Sequence, residues 1–182
     1  MEKKNKLHIG CGHQIFDGWI NLDIAPLPGV DVVHDLTQFP WPFEDQQFDE
    51  VYMKDVLEHL QDTIKTLEEI YRITKPGAKI FIAVPYWNSW EAITDPTHIK
   101  QFNEYTFEFF DPTKRRCRNR PYYTSARFKI IKQGYWIRPL APAIIISKSF
   151  VVFNPAIKKI LSFFASYFNN IIVGIDVYLE RV

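Results

Sequence analysis

Leu7-His8-Ile9-Gly10-Cys11-Gly12 decides how this chain is read. The run Leu7–Ile9 is too short for a helix and stops at two glycines, so it reads as a buried strand ending in a turn. Working outward, the arrangement recurs in Asn21-Leu22-Asp23-Ile24 and in Val32-Val33-His34-Asp35-Leu36. Phe48-Asp49-Glu50-Val51-Tyr52 follows, running into Val56-Leu57-Glu58-His59-Leu60, and the series closes with Lys75-Pro76-Gly77-Ala78-Lys79-Ile80-Phe81-Ile82-Ala83-Val84-Pro85. Most of these runs end at a glycine, an acid or a polar turn. In a parallel α/β sheet that is the end where ligands sit.

Strands are expected at Leu7–Ile9, Trp19–Ile24, Val30–Val33, Phe48–Met53 and Lys79–Val84. Val56, Leu57, Leu60, Ile64, Leu67, Ile70 and Tyr71 recur at three- and four-residue steps, which predicts one amphipathic helix with Glu58-His59 inside it. Lys75-Pro76-Gly77 should stop that helix. Two prolines keep Phe39-Pro40-Trp41-Pro42-Phe43 out of regular structure, so it reads as a surface connection. Beyond Pro85 the pattern predicts a loop over Tyr86–Lys100, a short helix over Glu104–Phe110, a strand over Phe128–Ile137, a helix over Pro155–Phe168 and a closing strand over Ile171–Glu180. Pro139–Pro142 reads as an internal hinge. Alternation of strands with connections argues for a single α/β domain over residues 1–182, three-layered, Rossmann-like, with a mainly parallel twisted sheet of about six or seven strands.

The net charge of +1 conceals a division. Residues 1–111 hold 19 acids against 9 Lys and Arg, whereas residues 112–175 hold 12 Lys and Arg and no acid. Such asymmetry points to an anionic partner for the second part. Two cysteines make no disulfide framework, and no signal-peptide core follows Met1–Lys6. The longest uncharged stretch there, Ile160–Ile175, has 16 residues and contains Asn169-Asn170. A spanning helix needs about 20 apolar residues, so no transmembrane segment is expected.

Taken together, the segments from Lys6 to Pro85 resemble class I S-adenosylmethionine-dependent methyltransferases. The resemblance implies roles residue by residue, with residues 1–85 as the cofactor half and 86–182 as the acceptor and lid half. Gly10, Cys11 and Gly12 would bring bare backbone against the methionine part of S-adenosylmethionine, where a Cβ collides. Asp23 would accept hydrogen bonds from the ribose hydroxyls. Asp35 would hold the adenine amino group and Leu36 pack its face, while Lys54 and Asp55 would line the methionine end. The last strand would be antiparallel and inserted beside the fifth. One departure stands out: 11 positions separate Gly12 from Asp23, where a Rossmann-like unit leaves about 20 and a whole helix. His13–Gly18 has room only for a loop or a single turn. This is similar to a branch of short methyltransferase-like proteins associated with surface-polysaccharide pathways.

Asp95-Pro96-Thr97-His98 falls in the loop where the family's acceptor binds. Asp95 or His98 is a candidate base for an acceptor hydroxyl or amine, against the alternative of a turn with no chemistry. Tyr86, Trp87, Trp90 and Phe102 offer either a stacking platform or a packed lid. Lys114-Arg115-Arg116-Cys117-Arg118-Asn119-Arg120 carries five positive charges, suited to a phosphate-bearing acceptor or an anionic membrane surface. No nucleic-acid-binding motif is present, and no metal ligand is assigned. The expected activity is methyl transfer to an oxygen or nitrogen of a small or lipid-linked, anionic acceptor, in the cytoplasm or peripherally at the inner membrane face. A non-catalytic binding or membrane-docking module and a nucleotide-dependent oxidoreductase are the alternatives.

Overall fold

A computed structural model describes residues 5–137 and 150–182. The expected hinge at Pro139–Pro142 lies outside the described residues. Strands β1 (Lys6–Ile9), β2 (Ile20–Asp23), β3 (Val32–Val33), β4 (Phe48–Lys54), β5 (Thr74–Pro85), β6 (Phe128–Ile137), β7 (Phe150–Val152) and β8 (Gly174–Arg181) form one sheet in the order β3-β2-β1-β4-β5-β8-β6-β7. Pairings from β3 through β5 are parallel. Strand β8 lies antiparallel between β5 and β6, and β7 closes the far edge. The α/β class, the mainly parallel first half and the inserted last strand are as the sequence leads one to expect. The three-residue β7 carries no readable periodicity and adds an eighth strand.

Helices α1 (Thr63–Ile73), α2 (Trp90–Thr94), α3 (Arg115–Asn119) and α4 (Pro155–Ala165) accompany the sheet. The single helix expected over Val56–Tyr71 is instead two pieces. Leu57–His59 forms a 3-10 turn, Leu60 is extended, and the Asp62 side chain caps α1 by accepting from the Lys65 amide at 2.9 Å. A side-chain cap competes with helix continuation at that point. Glu58 and His59 therefore sit in the 3-10 turn before α1, not inside the α-helix. Nor does Lys75-Pro76-Gly77 end the helix. Thr74 already turns extended, and Lys75–Ala78 form a bulge inside β5, where register jumps from Phe48↔Thr74 to Glu50↔Lys79 and Gly77 takes φ 79°. The missed α2 begins with Ser89, whose side chain accepts from the Ala92 amide.

No helix crosses over between β1 and β2 or between β2, β3 and β4. Aromatic side chains cover the sheet where those helices are missing. Phe16 stacks on His8 at 4.1 Å and meets Trp19 and Tyr52 edge-on. The Asn21 side chain anchors this loop by accepting from the Phe16 amide and donating to the Phe16 carbonyl. Trp41, expected on a surface connection, is instead 1% exposed within the main core. Its indole donates to the Leu36 carbonyl at 3.1 Å and its amide to Glu69 Oε1 on α1 at 2.6 Å. Arg72 completes the anchor by bonding Glu69, Asp45 and the Trp41 and Phe43 carbonyls. Prolines prevent regular structure here without preventing burial, because side chains supply the missing partners.

Candidate active site

The parallel register places the carboxyl ends of β1, β2, β4 and β5 along one edge of the sheet. Gly10, Cys11 and Gly12 leave β1 there, Asp23 ends β2, Asp35 follows β3, and Lys54-Asp55 end β4. The amides of Gly10 and Cys11 both donate to the Leu22 carbonyl, and the Gly12 amide donates to Asp23 Oδ2 at 2.7 Å. The two glycines do different work. Gly10, at φ 66°, would place a Cβ 2.2 Å from Val56 Cγ2, so it is required by packing. Gly12, at φ 51°, has nothing within 4 Å of that position and faces open space. Cys11 is buried, and burial pushes its thiol up, away from nucleophilic behaviour.

Asp23 is half-buried, and its second oxygen accepts from the Ala25 amide. The carboxylate thus closes the glycine turn and remains beside its open face. Asp35 Oδ1 accepts from the Thr37 amide and hydroxyl, which hold its carboxyl below the usual carboxylate range. Leu36 is buried in the main core beside Trp41. These residues fit the adenosyl and methionine parts of S-adenosylmethionine at one point in particular. A Gly12 side chain would fill the open face that the Asp23 carboxylate borders. The connection His13–Trp19 holds no helix, so no helix N-terminus is available there for the cofactor's carboxylate.

A cavity of about 180 Å³ opens beside this edge, walled by Lys54, Asp55, Pro85, Glu91, Trp136 and Gly174. Lys54 Nζ lies 5.5 Å from the Trp136 ring centroid and 3.8 Å from an Asp55 oxygen. Asp55, just past the end of β4, takes φ 54°, a left-handed backbone. A second, more open cavity shares Asp55, Pro85 and Glu91 and adds Glu58, Asp95 and His98. Asp95 is exposed. Its Oδ1 accepts from the Thr97 hydroxyl and amide, which hold its carboxyl low and make it a loop anchor. His98 Nε2 stands 3.8 Å from Glu58 Oε1, and burial pushes the Glu58 carboxyl up to about 7.

The aromatic group splits: Tyr86 and Phe102 are buried, Trp87 and Trp90 exposed. In the basic run, Arg116 pairs with Glu108 over the Tyr105 ring and Arg120 lies over Phe109 and Tyr123. Sequence reasoning left Trp136, Glu91, Val173 and Gly174 out of the site. The placement of β8 between β5 and β6 brings Trp136, Val173 and Gly174 to it, and α2 brings Glu91; no local pattern announces either.

A glycine turn bound to an acid on the next strand, on a parallel sheet completed by an inserted antiparallel strand, defines a class I methyltransferase-type Rossmann-like domain. Residues 7–82 match the family described as methyltransferase domain. Demethylmenaquinone methyltransferase of Streptomyces griseus subsp. griseus is 31% identical over 83 residues, 44% of this chain and 33% of the relative. The match thus spans about a third of that relative's length. Phosphoethanolamine N-methyltransferase 2 of Caenorhabditis elegans is 41% identical over 44 residues, 24% of this chain and 10% of the relative. Among solved structures, a SAM-dependent methyltransferase from Archaeoglobus fulgidus superposes with a TM-score of 0.62 at 18% identity, over 98% of this chain and 86% of that one. The cyclase SpnF superposes at 0.54 and 14% identity, over 98% and 74%. Its name is a reminder that this fold alone does not set the reaction.

Proposed function

We propose that this chain transfers a methyl group from S-adenosylmethionine to an oxygen or nitrogen of a small or lipid-linked, anionic acceptor. The observation that carries the reading is the open face of Gly12 beside the Asp23 carboxylate, within the segment that matches the family. S-adenosylmethionine supplies, when bound, an electrophilic methyl on a good leaving group. What remains for the protein is alignment of acceptor, methyl and sulfur. Asp23 orients the ribose, and the Gly10–Gly12 backbone takes the methionine part. Asp35 and Leu36 would hold the adenine, and Lys54 and Asp55 would line the methionine end. Pro85, Glu91 and Trp136 shape the cavity that admits the acceptor, and Lys54 favours an anionic one.

Two things support a lipid-like acceptor. Relatives bear names for methyl transfer to demethylmenaquinone. Helix α4 and the turn after it leave Ile157, Ile160, Phe163, Phe164, Tyr167 and Phe168 exposed, a face fit for a lipid surface. This end of the molecule is tied to the post-β5 loop, because Asn88 donates to the Ala165 carbonyl and the Trp90 amide to Asn170. Among the described residues no helix is long and apolar enough to cross a membrane. Peripheral contact from the cytoplasmic side is therefore the arrangement we propose.

Calorimetric titration with S-adenosylmethionine and its demethylated product tests the cofactor. Binding that disappears in Asp23→Ala supports the reading; absence of binding at millimolar ligand, with the protein folded, overturns it. Sedimentation with anionic liposomes at low and high salt tests the surface contact, and no association at low salt removes that part.

A further inference from the structure

Glu58, His59 and His98 form a cluster that methyl transfer as described above does not use. Glu58 is 1% exposed, and neither of its carboxylate oxygens has a hydrogen-bond partner. Buried carboxylates are ordinarily paired or bound to a cation, because losing water without replacement is costly. The nearest cationic candidate, His98 Nε2, is 3.8 Å away, beyond hydrogen-bond reach. The His98 side chain is itself only 9% exposed. One carboxylate oxygen and one nitrogen of each ring lie within 4.8 Å of one another. The two rings meet edge to face at 4.6 Å.

Around this cluster the protein is built to hold it. The Ile99 and Lys100 amides both donate to the Glu58 carbonyl, locking the His98 segment to the turn that carries Glu58 and His59. The Thr97 hydroxyl contacts both Asp95 Oδ1, at 2.6 Å, and His59 Nδ1, at 2.9 Å. An ionised carboxylate only accepts, so the hydroxyl proton belongs to Asp95 and His59 Nδ1 must be the donor. That tautomer leaves the lone pair on His59 Nε2. An imidazole oriented through its other nitrogen by a hydroxyl and a carboxylate is the usual support for a metal-ligating histidine.

We propose that Glu58, His59 and His98 bind one divalent transition-metal cation. Two imidazoles and one carboxylate suit zinc or iron(II) better than magnesium or calcium, which prefer all-oxygen shells. Bonds of about 2.0–2.2 Å would draw these atoms closer together than the 4.8 Å within which they now lie. Three protein ligands leave open coordination positions, and two of them, Glu58 and His98, line a cavity whose other walls are Asp55, Pro85, Glu91, Thr94, Asp95 and Pro96. The cation would there bind and polarise an oxygen of the acceptor, which narrows the acceptor to one with an oxygen donor at its reacting end. That last role rests on the methyl-transfer reading; binding of the cation does not.

The test uses the full chain, stripped with a chelator and titrated with Co²⁺ by visible absorption and with Zn²⁺ by calorimetry. One equivalent should bind per chain and raise the melting temperature. Glu58→Gln should abolish the Co²⁺ bands, as should His59→Ala, a change at a half-exposed position that the fold tolerates if the Glu58 variant does not fold. Thr97→Val should weaken binding by about 10–100-fold by releasing His59. Substoichiometric binding, or binding equal in wild type and His59→Ala, overturns the site. S-adenosylmethionine titrated into the same stripped protein reports separately on the methyl-transfer reading, so either can fail while the other stands.

Discussion

The Gly12 amide donates to Asp23 Oδ2 at 2.7 Å while the Ala25 amide donates to Oδ1 of the same carboxylate at 3.0 Å. One side chain therefore joins the turn after β1 to the turn after β2. Asp23→Asn keeps a single acceptor oxygen and loses the charge, so one of the two turns is released. Hydrogen bonds to a charged group contribute about 1.5–3 kcal/mol. S-adenosylmethionine affinity should fall by about one to two orders of magnitude, read by calorimetry, with a smaller loss in urea melts. Unchanged affinity in a folded Asp23→Asn protein removes Asp23 from the cofactor site.

Substituting the two glycines separates packing from ligand contact. Gly12→Ala meets no atom and carries only the left-handed backbone penalty of about 1–2 kcal/mol. Gly10→Ala carries the same penalty plus a 2.2 Å approach to Val56 Cγ2. Urea melts should therefore rank Gly10→Ala clearly below Gly12→Ala, with Val56→Ala partly restoring the former. Cofactor titration should show a loss in Gly12→Ala out of proportion to its stability. Wild-type binding by Gly12→Ala would place the cofactor elsewhere.

Trp41 measures how far side chains replace the missing crossover helices. Trp41→Ala should destabilise by about 3–5 kcal/mol, the range for a large buried aromatic. Trp41→Phe should cost about 1–3 kcal/mol, since it leaves the Leu36 carbonyl unpaired in the core. Both are read as shifts of the denaturation midpoint. Values within 0.5 kcal/mol of wild type, the span of about ±0.5 typical of surface changes, would mean that Trp41 is peripheral after all.

Much of this was legible along the chain. Period and punctuation locate β1, β2, β4, β6 and β8 to within a few residues, because each is a largely apolar run, and β1, β2 and β4 lead into turns. The shortened loop after Gly12 was legible from spacing alone. Glu58-His59 was misplaced into a helix because Leu57 and Leu60 happen to continue the helical stripe, and the Asp62 cap that breaks it is one side-chain hydrogen bond. The burial of Trp41 depends on Glu69 and Arg72, distant in sequence, and the meeting of Glu58 with His98 depends on the loop after β5 folding back. Such pairings leave no trace in local periodicity. The acceptor cavity is hidden for the same reason, since Trp136 and Gly174 reach it through the inserted β8.

Asp176, on β8, offers a pH signature of that inserted strand. Its side chain is 4% exposed and accepts from the Trp136 indole at 2.5 Å. Burial raises its carboxyl above the usual range and Asp55 adds to that, against the lowering effects of the Trp136 bond, Lys54 and Lys132. A raised folded-state value means that the native state favours protonated Asp176. Its contribution to stability is present below the unfolded value, about 3.9, and is lost as pH rises through the higher folded value. Asp176→Asn keeps an acceptor for the indole and carries no charge at any pH. Relative to wild type, the variant should thus gain stability between about pH 3.5 and 7, with the two converging at the acid end. Parallel urea melts across that range read the difference directly. A difference that is flat with pH, or that grows towards acid, would show that Trp136, Lys54 and Lys132 together outweigh burial at this position.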